Sequence, residues 1–287
     1  MSTVLANSLV ASILSILHAR QLSQRAQQYL DTNGPNPSGS MCYSWGGDVL
    51  IVGIIANYAA VAADTFSSEL GILSRGEPRL ITSLTLRKVP RGTNGGVSLA
   101  GLAAGLFGAM VIVSASMVFL PYCTEDTAKL LGGGGPWTML DRRTFMIFLV
   151  GCGFAGSVLD SVLGGLFQQS VRDVRSGKIV EGAGGNRVLV ASSSPLKPKS
   201  GSAVADGEEE AAAAAAAIDK AKSKATASDK DRRPSFGDER PSRTVESGLD
   251  LLDNNDVNFL MAVMISVGAM AIASWHWGIS PRDILKP

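Results

Sequence analysis

Two histidines and three cysteines in 287 residues leave little material for the chemistries that are easiest to read from a sequence. Cys42, Cys123 and Cys152 show no CxxC spacing and no histidine at ligand spacing, so neither a zinc site nor a disulfide framework is indicated. His18 and His276 stand far apart, near the ends of apolar stretches, where an interfacial position outweighs a catalytic one. Net charge is +1, and no basic stripe is interleaved with aromatics, which make up only 6% of the chain. That removes the electrostatic footprint of a nucleic-acid binder. The GxxxxGK[ST] spacing of a Walker A loop is also missing.

What is present is unevenly distributed. More than half of the 26 Lys and Arg lie in one polar block from Gln168 to Asp256. The mean hydropathy of +0.20 averages that block with a very apolar remainder. The stretches 97–120, 144–167 and 257–279 each exceed twenty residues with almost no charge, enough to cross a hydrocarbon core of ~30 Å. A fourth stretch, 49–73, reads as one helix with a polar second half. A fifth, 4–18, is short and interrupted by Asn7, Ser8 and Ser12; it lacks the basic start of a cleaved signal. The expectation is an all-α, polytopic helical membrane protein of about five spans. Its membrane domain covers 1–167, a low-complexity loop covers 168–256, and the last span and a short tail cover 257–287.

Basic residues orient this arrangement. The short connection 65–96 carries Arg75, Arg79, Arg87, Lys88 and Arg91, while 121–143 carries only Lys129, Arg142 and Arg143, so 65–96 and 168–256 are expected in the cytosol. Within the loop, the segment from about 192 to 243 holds a Glu-Glu-Glu run, seven alanines and alternating lysines. A transient helix suits that charge order, but the apolar surface needed for a stable fold is missing, so disorder is expected. Its serines are candidate phosphorylation sites.

Acids inside a span are costly and therefore mark function. Asp160 lies roughly 12 Å inside its helix end at 1.5 Å per residue, flanked on the same face by Gly156 and Gly164. Gly153, Ser157, Ser161 and Gly165 extend a small-residue pattern that suits close helix packing. Asp64 lies on a polar stripe with Asn57 two turns before and Ser68 one turn after. Glu69 points to a different side of that helix but is a further acid at the same membrane face. Asp64, Asp160 and Glu69 are the candidate catalytic acids, and Asp64 and Asp160 are the candidate Mg²⁺ ligands, since Mg²⁺ takes one or two carboxylates together with substrate phosphates.

Between the two acids runs Arg87-Lys88-Val89-Pro90-Arg91-Gly92-Thr93-Asn94-Gly95-Gly96, just ahead of a membrane helix. Lys88 and Arg91 supply charge, and Gly92, Thr93, Asn94, Gly95 and Gly96 form a turn whose N–H groups suit an anion. The alternative is a basic turn that touches lipid headgroups. At the start of the last span, Asp253 or Asn254 serves as an N-cap, while Asn254 and Asn258, one turn apart, are candidate polar site residues together with Asn57 and Asp253, the last a candidate to join Asp64 and Asp160 on the metal.

These same residues carry a resemblance. Ala63-Asp64-Thr65-Phe66-Ser67-Ser68-Glu69-Leu70-Gly71, Pro78-Arg79-Leu80-Ile81-Thr82, the turn 88–96, Gly156-Ser157-Val158-Leu159-Asp160-Ser161 and 252–258 resemble the transmembrane protein 19 family, an integral-membrane domain of unknown function numbered 92. The resemblance covers nearly the whole chain except the insertion. Family members usually have further hydrophobic segments ahead of the stretch matching Val4-Leu5-Ala6-Asn7. The family looks related to the phytyl-phosphate kinases of vitamin E synthesis. That relation implies transfer of a phosphoryl group from a nucleoside triphosphate co-substrate to an isoprenyl monophosphate, with Mg²⁺, at a membrane such as the endoplasmic reticulum or another endomembrane. The partner would be a membrane lipid or isoprenoid and not a nucleic acid. Two other readings of the same residues are an ion-coupled transporter using Asp64 and Asp160, and a non-catalytic scaffold acting through its long loop.

Overall fold

The computed structural model describes residues 3–31, 39–130, 132–180 and 243–286. Among the described residues, five helices are long and apolar enough to cross a membrane. They are α1 (Thr3–Leu30), α2 (Val49–Gly71), α3 (Leu99–Phe119), α4 (Met139–Phe167) and α5 (Asn254–Trp277). Short strands β1 (Arg79–Leu80) and β2 (Gly96–Val97) pair antiparallel between α2 and α3. Beyond α4, β3 (Ser170–Asp173) lies between β4 (Ile179–Val180) and β5 (Arg243–Ser247), antiparallel to both.

Two helices are longer than the hydropathy of the sequence suggests, α1 because of distant partners and α4 because of its cap. α1 runs on past His18 because its polar second half finds protein partners. The Gln21 amide donates to the carbonyls of Ile284 and Lys286 at 2.6 and 2.8 Å, and Arg25 is buried against Asp48. α4 starts at Met139, five residues before the expected 144, because Thr138 and Asp141 form a reciprocal capping box and Arg142 stacks over the Tyr122 ring at 5.5 Å. The α5 start is also a capping box, from Asp253 and Asp256, and its end is Gly278 in the left-handed region at φ 67.

α2 occupies the centre, in contact with all four other helices. Small residues permit this. A Cβ at Gly105 or Gly108 of α3 would meet the carbonyl oxygens of Ala63 and Ala62 at 3.0 and 2.8 Å, and one at Gly153 or Gly156 of α4 would meet the Cβ atoms of Ala59 and Ala60 at 3.0 and 2.4 Å. Without a hydrophobic drive between helices in lipid, such close approach supplies the van der Waals attraction. Ala56, Ala59, Ala60 and Ala63 are completely buried as a result.

The α1–α2 and α3–α4 connections meet at one end of the bundle. Here the structure corrects the cysteine reading, because Cys42 and Cys123 form a disulfide across 81 residues of sequence. Tyr43, Tyr122, Trp137 and Phe145 pack beside it with ring centroids 4.9–5.8 Å apart. Burial, chiefly, pushes the Tyr43 phenol well above its ordinary value, so it stays neutral. At the opposite end lie the β1–β2 connection and the three-stranded sheet. There the described parts of the block read as low-complexity loop, up to residue 180 and from residue 243, contain the three strands β3, β4 and β5 and the first residues of α5. The insertion from about 192 to 243, with its expected disorder, transient helix and serines, falls almost wholly on residues 181–242, outside the described residues.

Candidate functional site

Asp64 and Asp160 each lie seven residues inside the end of their helix, Gly71 for α2 and Phe167 for α4. At 1.5 Å per residue that is ~10 Å, the same depth from the same end of the bundle. The packing of α2 on α4 brings them face to face. Ala59 meets Gly153, Ala60 meets Gly156, and one turn further stand Asp64 and Asp160, close enough for their carboxyl groups to interact. Both side chains are half-buried, and Asp160 Oδ1 is a buried oxygen with no hydrogen-bond partner among the described residues. Neither acid has an ion pair there. Two carboxylates so placed repel each other unless they share a proton or admit a cation between them.

Ser157, one turn before Asp160, joins this cluster and was not singled out beyond its small size. It is 1% exposed, its hydroxyl has no hydrogen-bond partner among the described residues, and it faces the backbone of α3 at Gly105. The signal available in the sequence was its i−3 spacing from an intramembrane acid.

The glycine turn docks on α4 just beyond the acids. Gly95 has φ 77, and a Cβ there would stand 2.6 Å from Gly165 Cα and 2.8 Å from the Ser161 carbonyl oxygen. Several of the turn's N–H groups are engaged by the protein itself. Thr93 N–H donates to the Pro90 carbonyl at 3.2 Å, Asn94 N–H to the Ser170 hydroxyl at 2.9 Å, and Gly96 N–H to the Thr93 carbonyl at 2.9 Å. The turn is thus a wedge that locks the β1–β2 connection onto α4 and β3, with Gly92 against Ile179 of β4. Lys88 and Arg91 project from it into solvent. Lys88 pairs with Glu77 at 3.0 Å, both 65% exposed, and Arg91 has no ion pair among the described residues. Arg87 is committed to structure, bonding the Glu246 carboxylate and carbonyl at 2.9 Å each.

The remaining expected residues are dispersed. Asn57 is fully buried and braces three helices, donating to the Asn7 carbonyl at 2.9 Å and accepting from the Ser266 hydroxyl at 3.4 Å. Glu69 and Ser68 are exposed, with Ser68 bonded to its own helix at Thr65. Asp253 is the N-cap of α5. Asn254 is exposed while Asn258 is buried, so the two do not share an environment; Asn255 is buried, and its Oδ1 has no hydrogen-bond partner among the described residues.

The sequence belongs to a recognised family. The model of the family described as "Integral membrane protein DUF92" matches residues 1–266, and the chain is a member of it. It is 39% identical over 124 residues to Protein PGR of Arabidopsis thaliana, a match covering 42% of this chain and 38% of that protein. It is 36% identical over 119 residues to Uncharacterized membrane protein MJ0933 of Methanocaldococcus jannaschii, covering 42% of this chain and 41% of that one. The matches span about two fifths of either relative, at 38% and 41%. No solved structure matches. The chain is a multi-pass integral membrane protein.

Proposed function

We propose that this protein is a Mg²⁺-dependent phosphotransferase, passing the terminal phosphoryl group of a nucleoside triphosphate to an isoprenyl monophosphate held in the membrane. The observation that supports it most is the Asp64–Asp160 pair, two facing carboxyls with an unpartnered buried oxygen and no ion pair among the described residues. The donor set suits Mg²⁺. Hard oxygens come from two helices, and two carboxylates alone do not make a complete protein cage; among the described residues no cluster of three or more His, Cys, Asp or Glu could hold a metal ion. Such a site leaves the remaining coordination to water and phosphate oxygens. Bound there, Mg²⁺ would neutralise charge on the transferring phosphates.

The chain's own residues would position the reactants. Asp64 and Asp160 fix the depth at which the phosphates stop, two turns inside the helix ends. Lys88 and Arg91, on a connection wedged against α4, hold phosphate oxygens electrostatically, because the neighbouring N–H groups are already in use. The acceptor's phosphate oxygen attacks the terminal phosphorus, the nucleoside diphosphate leaves, and a prenyl diphosphate forms. No protein nucleophile takes part, and catalysis is positioning and charge stabilisation.

The test is label transfer. Purified full-length protein in detergent is given Mg²⁺, γ-labelled CTP or ATP, and a panel of isoprenyl alcohols and monophosphates, beside Asp160→Asn. Label should enter a prenyl diphosphate with wild type, and the variant should lose about 10²-fold or more in rate, as for removal of one preorganised electrostatic contact. Equal folded yield of the two proteins separates this from a structural effect. No label from folded wild type with any acceptor overturns the proposal, and cation-dependent flux into proteoliposomes in its place would assign the acids to transport.

A further inference from the structure

We propose that the Cys42–Cys123 disulfide forms in the cell on the non-cytosolic side of the membrane, which fixes the protein's absolute orientation and puts the Asp64–Asp160 pair nearer the cytosolic face. The two cysteines are brought together by backbone, independently of their sulfurs. Tyr43 N–H donates to the Pro121 carbonyl at 2.8 Å, Cys123 N–H to the Tyr43 carbonyl at 2.9 Å, and the Trp137 indole to that same carbonyl at 2.8 Å. The Cα atoms stand 5.1 Å apart, within the span of a disulfide. Reduced thiols held this way are preorganised to close.

Formation needs an oxidant. The two thiols give up two protons and two electrons to a protein disulfide of that compartment, which leaves as a dithiol, and the Cys42–Cys123 bond replaces two S–H bonds. Such donors act in secretory lumens, periplasms and at cell surfaces, while the cytosol keeps thiols reduced. The face carrying the bridge is therefore the outer one. An independent property of the chain agrees. The opposite end holds Arg75, Arg79, Arg87, Lys88 and Arg91 in the short connection after α2, the excess expected of a cytosolic loop. Charge and sulfur chemistry thus give one orientation, in a membrane with one reducing and one thiol-oxidising side.

Cys152, free and within α4, is an internal control. Cells expressing the full chain are quenched with a permeant alkylating agent in denaturant, and the protein is reduced and treated with a mass-tagging maleimide. Two tags should appear, on Cys42 and Cys123, and none when the reductant is left out. Sealed vesicles with the cytosolic face outward, treated with an impermeant reductant before quenching, should keep both tags, whereas permeabilised vesicles should lose them. Absence of tags after reduction, or their loss from sealed vesicles, overturns the proposal. The result does not depend on transferase activity, so a protein that transfers no phosphate can still carry the bond, and the reverse.

Discussion

Replacing Gly95 by alanine puts a methyl group where α4 already stands. The backbone there is left-handed, at φ 77, which costs an L-residue ~1–2 kcal/mol. The new Cβ would sit 2.6 Å from Gly165 Cα and 2.8 Å from the Ser161 oxygen, both backbone atoms of a helix that cannot rotate aside, adding ~1–3 kcal/mol of overpacking. The total, about 2–5 kcal/mol, compares with three local hydrogen bonds at a net ~0.5–1.5 kcal/mol each: Asn94 N–H to Ser170, Ile81 N–H to the Gly95 carbonyl, and Gly96 N–H to Thr93. The turn should therefore leave α4 while the bundle stays folded. Hydrogen exchange reads this directly, as loss of protection at the Ile81, Asn94 and Gly96 amides with little change within α2 and α4. Gly151→Ala is the control, since a Cβ there meets nothing within 4 Å. If Gly95→Ala protects those amides as well as Gly151→Ala does, the wedge reading of the turn is wrong.

Asp48→Asn should destabilise the bundle by about 3–5 kcal/mol, the cost of leaving one member of a buried ion pair uncompensated, because the Arg25 and Asp48 side chains are 6% and 2% exposed at 2.8 Å. Thermal alkylation of Cys152, free while Cys42 and Cys123 are bonded, measures it; an unchanged midpoint would mean that water reaches the pair. Asp173 makes a pH prediction at the sheet. Its carboxylate accepts the N–H groups of Ser176 and Arg175 at 3.1 and 2.7 Å, and these bonds hold it below the usual carboxylate range. A group lowered on folding stabilises above its unfolded value and loses that contribution as pH falls through the lowered one. Protection of the Ser176 and Arg175 amides should thus survive the pH at which ordinary aspartates take up protons, and disappearance at or above that pH would contradict it.

The spans were legible because apolar runs of this length have few other outcomes, and the acids were legible because lipid makes them conspicuous. Helix ends were harder. Hydropathy stops α1 at His18, yet Gln21 and Arg25 continue it by bonding to the C-terminal tail and to Asp48, partners that no local pattern reveals. Asn57 shows the opposite failure. Its seven-residue spacing from Asp64 resembles a shared polar stripe, but its amide is taken up by Asn7 on α1 and Ser266 on α5, and only the tertiary arrangement supplies those two groups. The disulfide was invisible for the same reason. With 81 intervening residues and no spacing motif, its partners meet only because α2 leads away from one end of the bundle and α3 returns to it. The three-stranded sheet is hidden by its own brevity, as four-, two- and five-residue strands carry little periodicity.

How α2 packs bears on whether the acids serve a surface reaction or a path across the membrane. A path would have to run from Asp64 and Asp160 toward Asn57, the next polar side chain inward on α2. Between them Ala59, Ala60 and Ala63 have no exposed surface, and α4 approaches so closely at Gly153 and Gly156 that not even a methyl group fits. Water or a hydrated cation needs more room than those contacts leave, although the Ser157 hydroxyl, unpartnered among the described residues, lies at the same level of α4. Asn57 is itself satisfied by Asn7 and Ser266, so it has no amide group waiting for a passing ion. Opening the layer would mean separating α2 from α4 along the contacts that set the two acids face to face, so this packing favours the proposed phosphoryl transfer over a path across the membrane. A phosphoryl transfer makes no such demand. In the proposed reaction both phosphates would arrive from the end of the bundle nearer the acids, the isoprenyl chain would stay in lipid, and the packed alanines beneath would hold the carboxyls at one depth.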